Sequence, residues 1–162
     1  MRRIFTSPAI AFALATLALP GIAAAEEEGE GAYVGKVTNE AAAKECSACH
    51  MAYQPIFLPQ RSWKAIMGNL SDHFGEDASL DDKTRQEIED YLVTNAGDAD
   101  NPDTSPVTDK NPAVLRITEL DWFNRIHGRR ARSYAESHSN IGTISNCSGC
   151  HRGAQSGFFE GD

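Results

Sequence analysis

The chain has 162 residues, a formal net charge of -8 and 23% charged side chains. That length allows one small domain or two very small ones, and the acidic balance argues against nucleic acid as a partner. All four cysteines fall in two near-copies of one pentapeptide, CSACH at 46–50 and CSGCH at 147–151.

The opening "MRRIFTSPAIAFALATLALPGIAAAEEEGE" reads as an export signal. Arg2 and Arg3 form the charged start, Ile10 to Leu19 an apolar stretch, and Ala23 to Ala25 a small-residue cleavage site, with Glu26 as the mature start. A retained anchor is the alternative, but a span needs about 20 apolar residues and this stretch falls short. Residues 1–25 are therefore a signal peptide, and the mature protein is expected in the periplasm without stable membrane insertion. Removing Arg2 and Arg3 takes the charge from -8 to -10, by subtracting two.

Residues 26–38, "EEEGEGAYVGKVT", are polar and glycine-rich and are expected to be mobile. A first domain is expected over 39–100. Asn39 is a good N-cap for the alanine-rich helix that carries the first pentapeptide. "MAYQPIFLPQ" then forms an apolar loop without helical or strand period, which needs a surface to cover. "RSWKAIMGNLSDHFG" predicts a helix ending at Gly75, with Trp63, Ile66, Met67, Leu70 and Phe74 on one face and His73 at its edge. In "SLDDKTRQEIEDYLVTNAG", Ser79 and Asp82 imitate a capping box, Ile88 and Leu92 point inward, and Gly97 closes the helix.

The three prolines of "DADNPDTSPVTDKNP" mark a boundary, with 101–112 as linker. A second domain follows over 113–162. "TELDWFNRIHG" predicts a short helix capped by Thr118 with Asp121, with Trp122, Phe123 and Ile126 as its apolar face and Gly128 as its stop. "RRARSYAESHSNIGTI" has little regular pattern, a last short helix holds the second pentapeptide, and "GAQSGFFEGD" is a loose tail. No segment alternates convincingly as a strand. The fold class is mostly α, with a back half too poor in apolar residues to fold around its own side chains.

C-x-x-C-H is the attachment signature of c-type haem. Residues i, i+3 and i+4 share one side of a helical turn, so two thiols and an imidazole converge. The thiols of Cys46, Cys49, Cys147 and Cys150 would form thioethers with the vinyl groups of two haems. His50 and His151 would bind the irons as proximal ligands. Two disulfides are a weaker reading, because C-x-x-C pairs favour redox or metal chemistry. A zinc site is weaker still, since it leaves both adjacent histidines unexplained.

On these residues the chain resembles the small periplasmic dihaem cytochromes c with bis-histidine ligation. The resemblance rests on "CSACHMAYQPIFLPQRSW", "DHFGEDASLD", the looser "DWFNRIH" and the late "NCSGCH". It implies a front half similar to a class I cytochrome c and a small, irregular back half organised around the second haem. It also implies electron transfer at low potential, with a small oxygen-binding c-type haem protein among the redox partners.

Each iron needs a sixth ligand, an open position or water, and the remaining histidines are His73, His127 and His138. Met51 follows His50 on the proximal side and cannot easily reach the opposite face of the ring. Met67 competes with His73 from the same helical stripe, with core packing as its ordinary role. His73, at a helix end beside a glycine, is the expected sixth ligand of the first iron. For the second, His127 follows aromatic and aliphatic groups suited to a haem face, and the family pattern points the same way; His138, in the polar "ESHSN", is the alternative. The Arg129, Arg130 and Arg132 run is either a solvated surface or a contact for haem propionates or an acidic partner.

Two function classes follow. Irons with two protein ligands leave no place for substrate, which makes an electron carrier rather than an enzyme, and the chain is expected to be a monomer. One iron with a weak or absent sixth ligand would instead make a haem enzyme or a gas-binding or redox sensor. The charge is lopsided: residues 26–100 hold 16 acidic and 6 basic side chains, a net of -10, and 101–162 hold 7 of each. An acidic front face would steer a basic redox partner.

Overall fold

The computed structural model describes residues 31–160, and the expected leader and mature start lie outside them. Four helices carry the fold: α1 Glu40–Cys46, α2 Gln60–Met67, α3 Asp82–Thr94 and α4 Asp121–Ser137. Short 3-10 turns join them, including Pro55–Phe57, Leu70–Asp72, Ile117–Glu119 and Cys147–Gly149. Among the described residues no helix is long and apolar enough to cross a membrane.

The front half is built by α2 packed on α3, with α1 against α3. Leu58, Trp63, Ile66, Met67, Ile88 and Leu92 form the centre of its core, and Ile88 is fully buried. Trp63 can be buried because its indole Nε1 donates to the Pro55 carbonyl at 2.7 Å. Asn39 caps α1 as expected, its Oδ1 accepting from Ala42 N at 2.7 Å. The cap of α3 is Asp81 rather than Ser79, accepting from the amides of Lys83 and Thr84. An ionised carboxylate next to the first turn also suits the helix dipole.

The long helix expected to end at Gly75 stops at Met67, with Gly68 as its cap. A Gly-Asn pair in mid-stripe is a weak place for a helix, and the chain turns there into the 3-10 segment that delivers His73. Phe74 follows with φ of 58°, the one non-glycine residue at positive φ among those described. Such a conformation costs about 1–2 kcal/mol.

The back half departs further from expectation. The chain does break at Gly128 (φ 56°), but helical structure resumes and runs to Ser137. Leu120, not Thr118, precedes the first turn, with no side-chain cap. Phe123 is buried, whereas Ile126 is 73% exposed and does not share its packing. Besides Phe123, the buried apolar residues of this half are Ala135, Ile141 and Ala154.

Two segments expected to be mobile find each other. Ala32–Tyr33 (β1) pairs antiparallel with Phe158–Phe159 (β2), in the register Ala32 with Phe159 and Tyr33 with Phe158. Val34 N adds a bond to Gly157 O at 2.8 Å. Gly157 makes the approach possible, because it adopts φ of 80° and a Cβ there would collide with the Gly35 carbonyl. The first and last parts of the described chain thus close on one another.

Candidate haem sites

The first pentapeptide begins on the last residue of α1 and continues through turns, so Cys46 ends a helix while Cys49 lies in the turn after it and His50 in the bend that follows. The second begins on the 3-10 turn Cys147–Gly149, where His151 N bonds Cys147 O at 2.8 Å and closes the loop on itself. All four thiols are unpaired. Burial, with the nearby Glu45 adding to it, pushes the Cys46 thiol up. The Cys147 thiol is also raised, by burial first and Cys150 in addition, against the pull of a backbone hydrogen bond.

Opposite each pentapeptide histidine stands a second histidine. The His50 and His73 rings have centroids 6.2 Å apart and planes within 23° of each other. Those of His127 and His151 lie 6.0 Å apart with planes at 86°. Two metal–imidazole bonds of about 2 Å each, plus the two ring radii, span about 6 Å. Both gaps therefore fit one iron between two imidazoles. His138 instead stacks on Tyr134 at 3.9 Å, with its Nδ1 against the Tyr134 carbonyl. Met67 is buried in the front core, and Met51 lies against Ser148, whose hydroxyl is 3.5 Å from its sulfur.

Among the described residues no three of His, Cys, Asp and Glu converge as a metal site. Four of the five histidines come in pairs, which suits a metal whose other ligands belong to a macrocycle. The residues present thus fit two haems: thiols that would attach each, and a pair of imidazoles spaced to hold an iron between them.

Neighbours orient the rings. His50 Nδ1 is held by the Met51 carbonyl at 2.7 Å, and His127 Nδ1 by the Phe123 carbonyl at 3.2 Å. Were the other nitrogen to bind an iron, Nδ1 would carry the proton and donate it to these oxygens. Phe123 also stacks on His127 at 4.0 Å. Burial, then His50 and Arg116, lower the proton affinity of His73, which favours the neutral imidazole a metal requires. Arg116 sits over the Phe74 ring at 4.2 Å and so braces the strained turn from the back half.

The apolar loop after the first pentapeptide finds its surface in the back half. Tyr53 stacks on His50 at 5.0 Å, and its hydroxyl donates to the Ser145 carbonyl at 2.8 Å. Burial, and then Cys147, push the Tyr53 phenol up to about 12. Gln54, fully enclosed, donates from Nε2 to the Ala154 carbonyl at 2.8 Å. Phe57 meets Trp122 at 5.8 Å and Phe159 at 5.2 Å. No local sequence signal marked Tyr53, Gln54 or Phe57 as the bridge; only the demand for a covering surface was visible.

A helix-rich fold with two pentapeptide loops, each facing a second histidine, fits a cytochrome carrying two covalent haems. The family model for dihaem cytochrome c matches residues 42–159, and the chain belongs to that family. It is similar to the crystal structure of DHC purified from Rhodobacter sphaeroides, at 45% identity and TM-score 0.61, covering 76% of this chain and 99% of that one. A second structure, the diheme cytochrome c from the same organism, gives 44% identity and TM-score 0.66, covering 76% of this chain and 98% of that one. The diheme cytochrome type c of Shewanella baltica OS155 gives 36% identity and TM-score 0.63, over 75% of this chain and 87% of that one. Comparison with curated proteins returns no match. The cofactors are two covalently bound c-type haems, and family membership supports a haem-based electron-carrier role.

Proposed function

We propose that the protein is a periplasmic, low-potential electron carrier in which His50 and His73 bind the first iron and His151 and His127 the second. Cys46 and Cys49 hold the first haem, and Cys147 and Cys150 the second. The single observation behind this reading is the pair of imidazole gaps, 6.2 and 6.0 Å between centroids. A c-type haem supplies a one-electron iron couple when bound. With an imidazole on each face, neither iron keeps a place for substrate, so electrons pass through the haem edge to another redox protein. Imidazole on both faces also gives a lower potential than the histidine and thioether pair, because thioether ligation raises it.

Partners are redox proteins, with a small oxygen-binding c-type haem protein as one of them. The net charge of -10 over residues 26–100, from 6 basic and 16 acidic groups, supports a basic partner docking at the first haem. The test is the rate of electron exchange with a basic and an acidic redox protein between 0.01 and 0.1 M salt, where screening shortens from about 30 Å to about 10 Å. The basic partner should slow clearly over that range. A carrier role without charge steering gives rates independent of salt, and no exchange at all removes the carrier role.

A further inference from the structure

The two proximal histidines are held by different chemistry. His50 Nδ1 meets a neutral backbone carbonyl, that of Met51, at 2.7 Å. The atom beside His151 Nδ1 is a carboxylate oxygen, Oε2 of Glu160, at 4.0 Å. This oxygen is shut off from solvent and has no hydrogen-bond partner, although the stem of Glu160 is partly exposed. A buried carboxylate oxygen without a donor is costly, and structures seldom keep one without a use for it.

The placement is not that of a wandering tail. The other oxygen, Oε1, accepts from Gly153 N at 3.0 Å, so the loop that carries His151 also fixes the carboxylate. The pairing of β1 with β2 ends one residue before Glu160. The Phe159 ring meets the His151 ring edge-on at 5.4 Å and covers the approach. From 4.0 Å, Oε2 has to close by about 1 Å to reach charge-assisted hydrogen-bond distance, a small side-chain adjustment.

We propose that Glu160 is a positioning residue for His151: it accepts the Nδ1 proton of the imidazole and makes the second haem the lower-potential of the two. This rests on His151 being an iron ligand, as in the function proposed above. A ring that donates to a carboxylate is a more basic ligand than one that donates to a carbonyl. A more electron-rich ligand, with a negative charge behind it, stabilises the oxidised iron over the reduced one. Electrons therefore settle on the first haem, under the acidic front half, and reach the second only at lower potential.

The experiment is an optical redox titration of the dihaem protein and of its Glu160→Gln, Glu160→Ala and Asp109→Asn forms. Glu160→Gln keeps an oxygen for the Gly153 amide and removes only the charge. It should raise the lower midpoint by an amount equivalent to about a tenfold change in the equilibrium constant for reduction, which is about 59 mV for one electron. The higher midpoint should stay in place. Glu160→Ala should shift the same midpoint, and Asp109→Asn, the same charge change in the linker, should shift neither. A role confined to holding the loop would move stability or haem retention in Glu160→Ala and leave Glu160→Gln unchanged. If both haems of the unmodified protein are low-spin and Glu160→Gln moves neither midpoint, or moves the upper one, the proposal falls and the ligation stands. If one haem of the unmodified protein is high-spin, the ligand assignment falls and takes the proposal with it.

Discussion

The front half of this protein has a core of its own, and the back half does not. Trp63, Ile66, Met67, Ile88 and Leu92 close around one another behind the first site. Behind the second, Phe123 and Ile141 are, among the described residues, the only large apolar side chains that are buried, together with two alanines. The back half is held instead from outside: by Tyr53 and Gln54 bonding its carbonyls, by Phe57 wedged against Trp122 and Phe159, and by β1. The front half is thus stabilised by its own side-chain packing, while the back half leans on contacts from the front half. A segment this poor in apolar surface rarely folds without a staple or a cofactor.

Removing the second attachment tests that difference most severely. Cys147→Ala with Cys150→Ala should yield a protein one haem lighter, with the back half open to proteolysis and the front half still protected. Equal protection of both halves would erase the contrast. Ile88→Ala, a truncation at a fully buried site of the front core, should cost about 2–5 kcal/mol in denaturant unfolding. A loss below about 1 kcal/mol would mean that the front half, too, leans on its haem.

The sites also differ in ring geometry, with planes at 23° for His50 and His73 and at 86° for His127 and His151. Parallel imidazoles split the iron π-orbitals along one shared direction, whereas perpendicular ones cancel each other's splitting. The oxidised protein should therefore give two distinct low-spin electron paramagnetic resonance signals, the second the more anisotropic. A single signal accounting for both irons would show the two sites to be alike. The smallest effect belongs to Tyr53→Phe, which deletes the bond to Ser145 and keeps the stack on His50. A loss of about 1 kcal/mol is expected, felt as easier proteolysis of the back half and not as a change in the first haem.

The attachment motifs were legible because their chemistry is local: four consecutive intervals of chain place thiols and imidazole together. The histidines that face the two pentapeptides were expected only from the demand for a ligand, and the structure brings His127 rather than His138 to the pentapeptide histidine. Pairing between β1 and β2 could not be seen, since strands of two residues have no period and their partners lie at opposite ends of the described chain. The second stretch of α4 was hidden by the arginine run, whose polar side chains carry no apolar spacing. Glu160 left no trace either, because a single acidic residue in a glycine-rich tail looks like a solvated one. The early stop of α2 was there to be read in Gly68 and Asn69, but the apolar stripe running through them outweighed it.

Both irons are proposed to be closed on both faces by protein. Carbon monoxide added to the fully reduced dihaem protein asks this directly, since it binds only where a position is open or weakly held. The optical spectrum is expected to be that of two low-spin haems and to stay unchanged with the gas, while His73→Ala and His127→Ala each create one binding haem and His138→Ala none. A spectral change in the unmodified protein, or an iron opened by His138→Ala and not by His127→Ala, would contradict it.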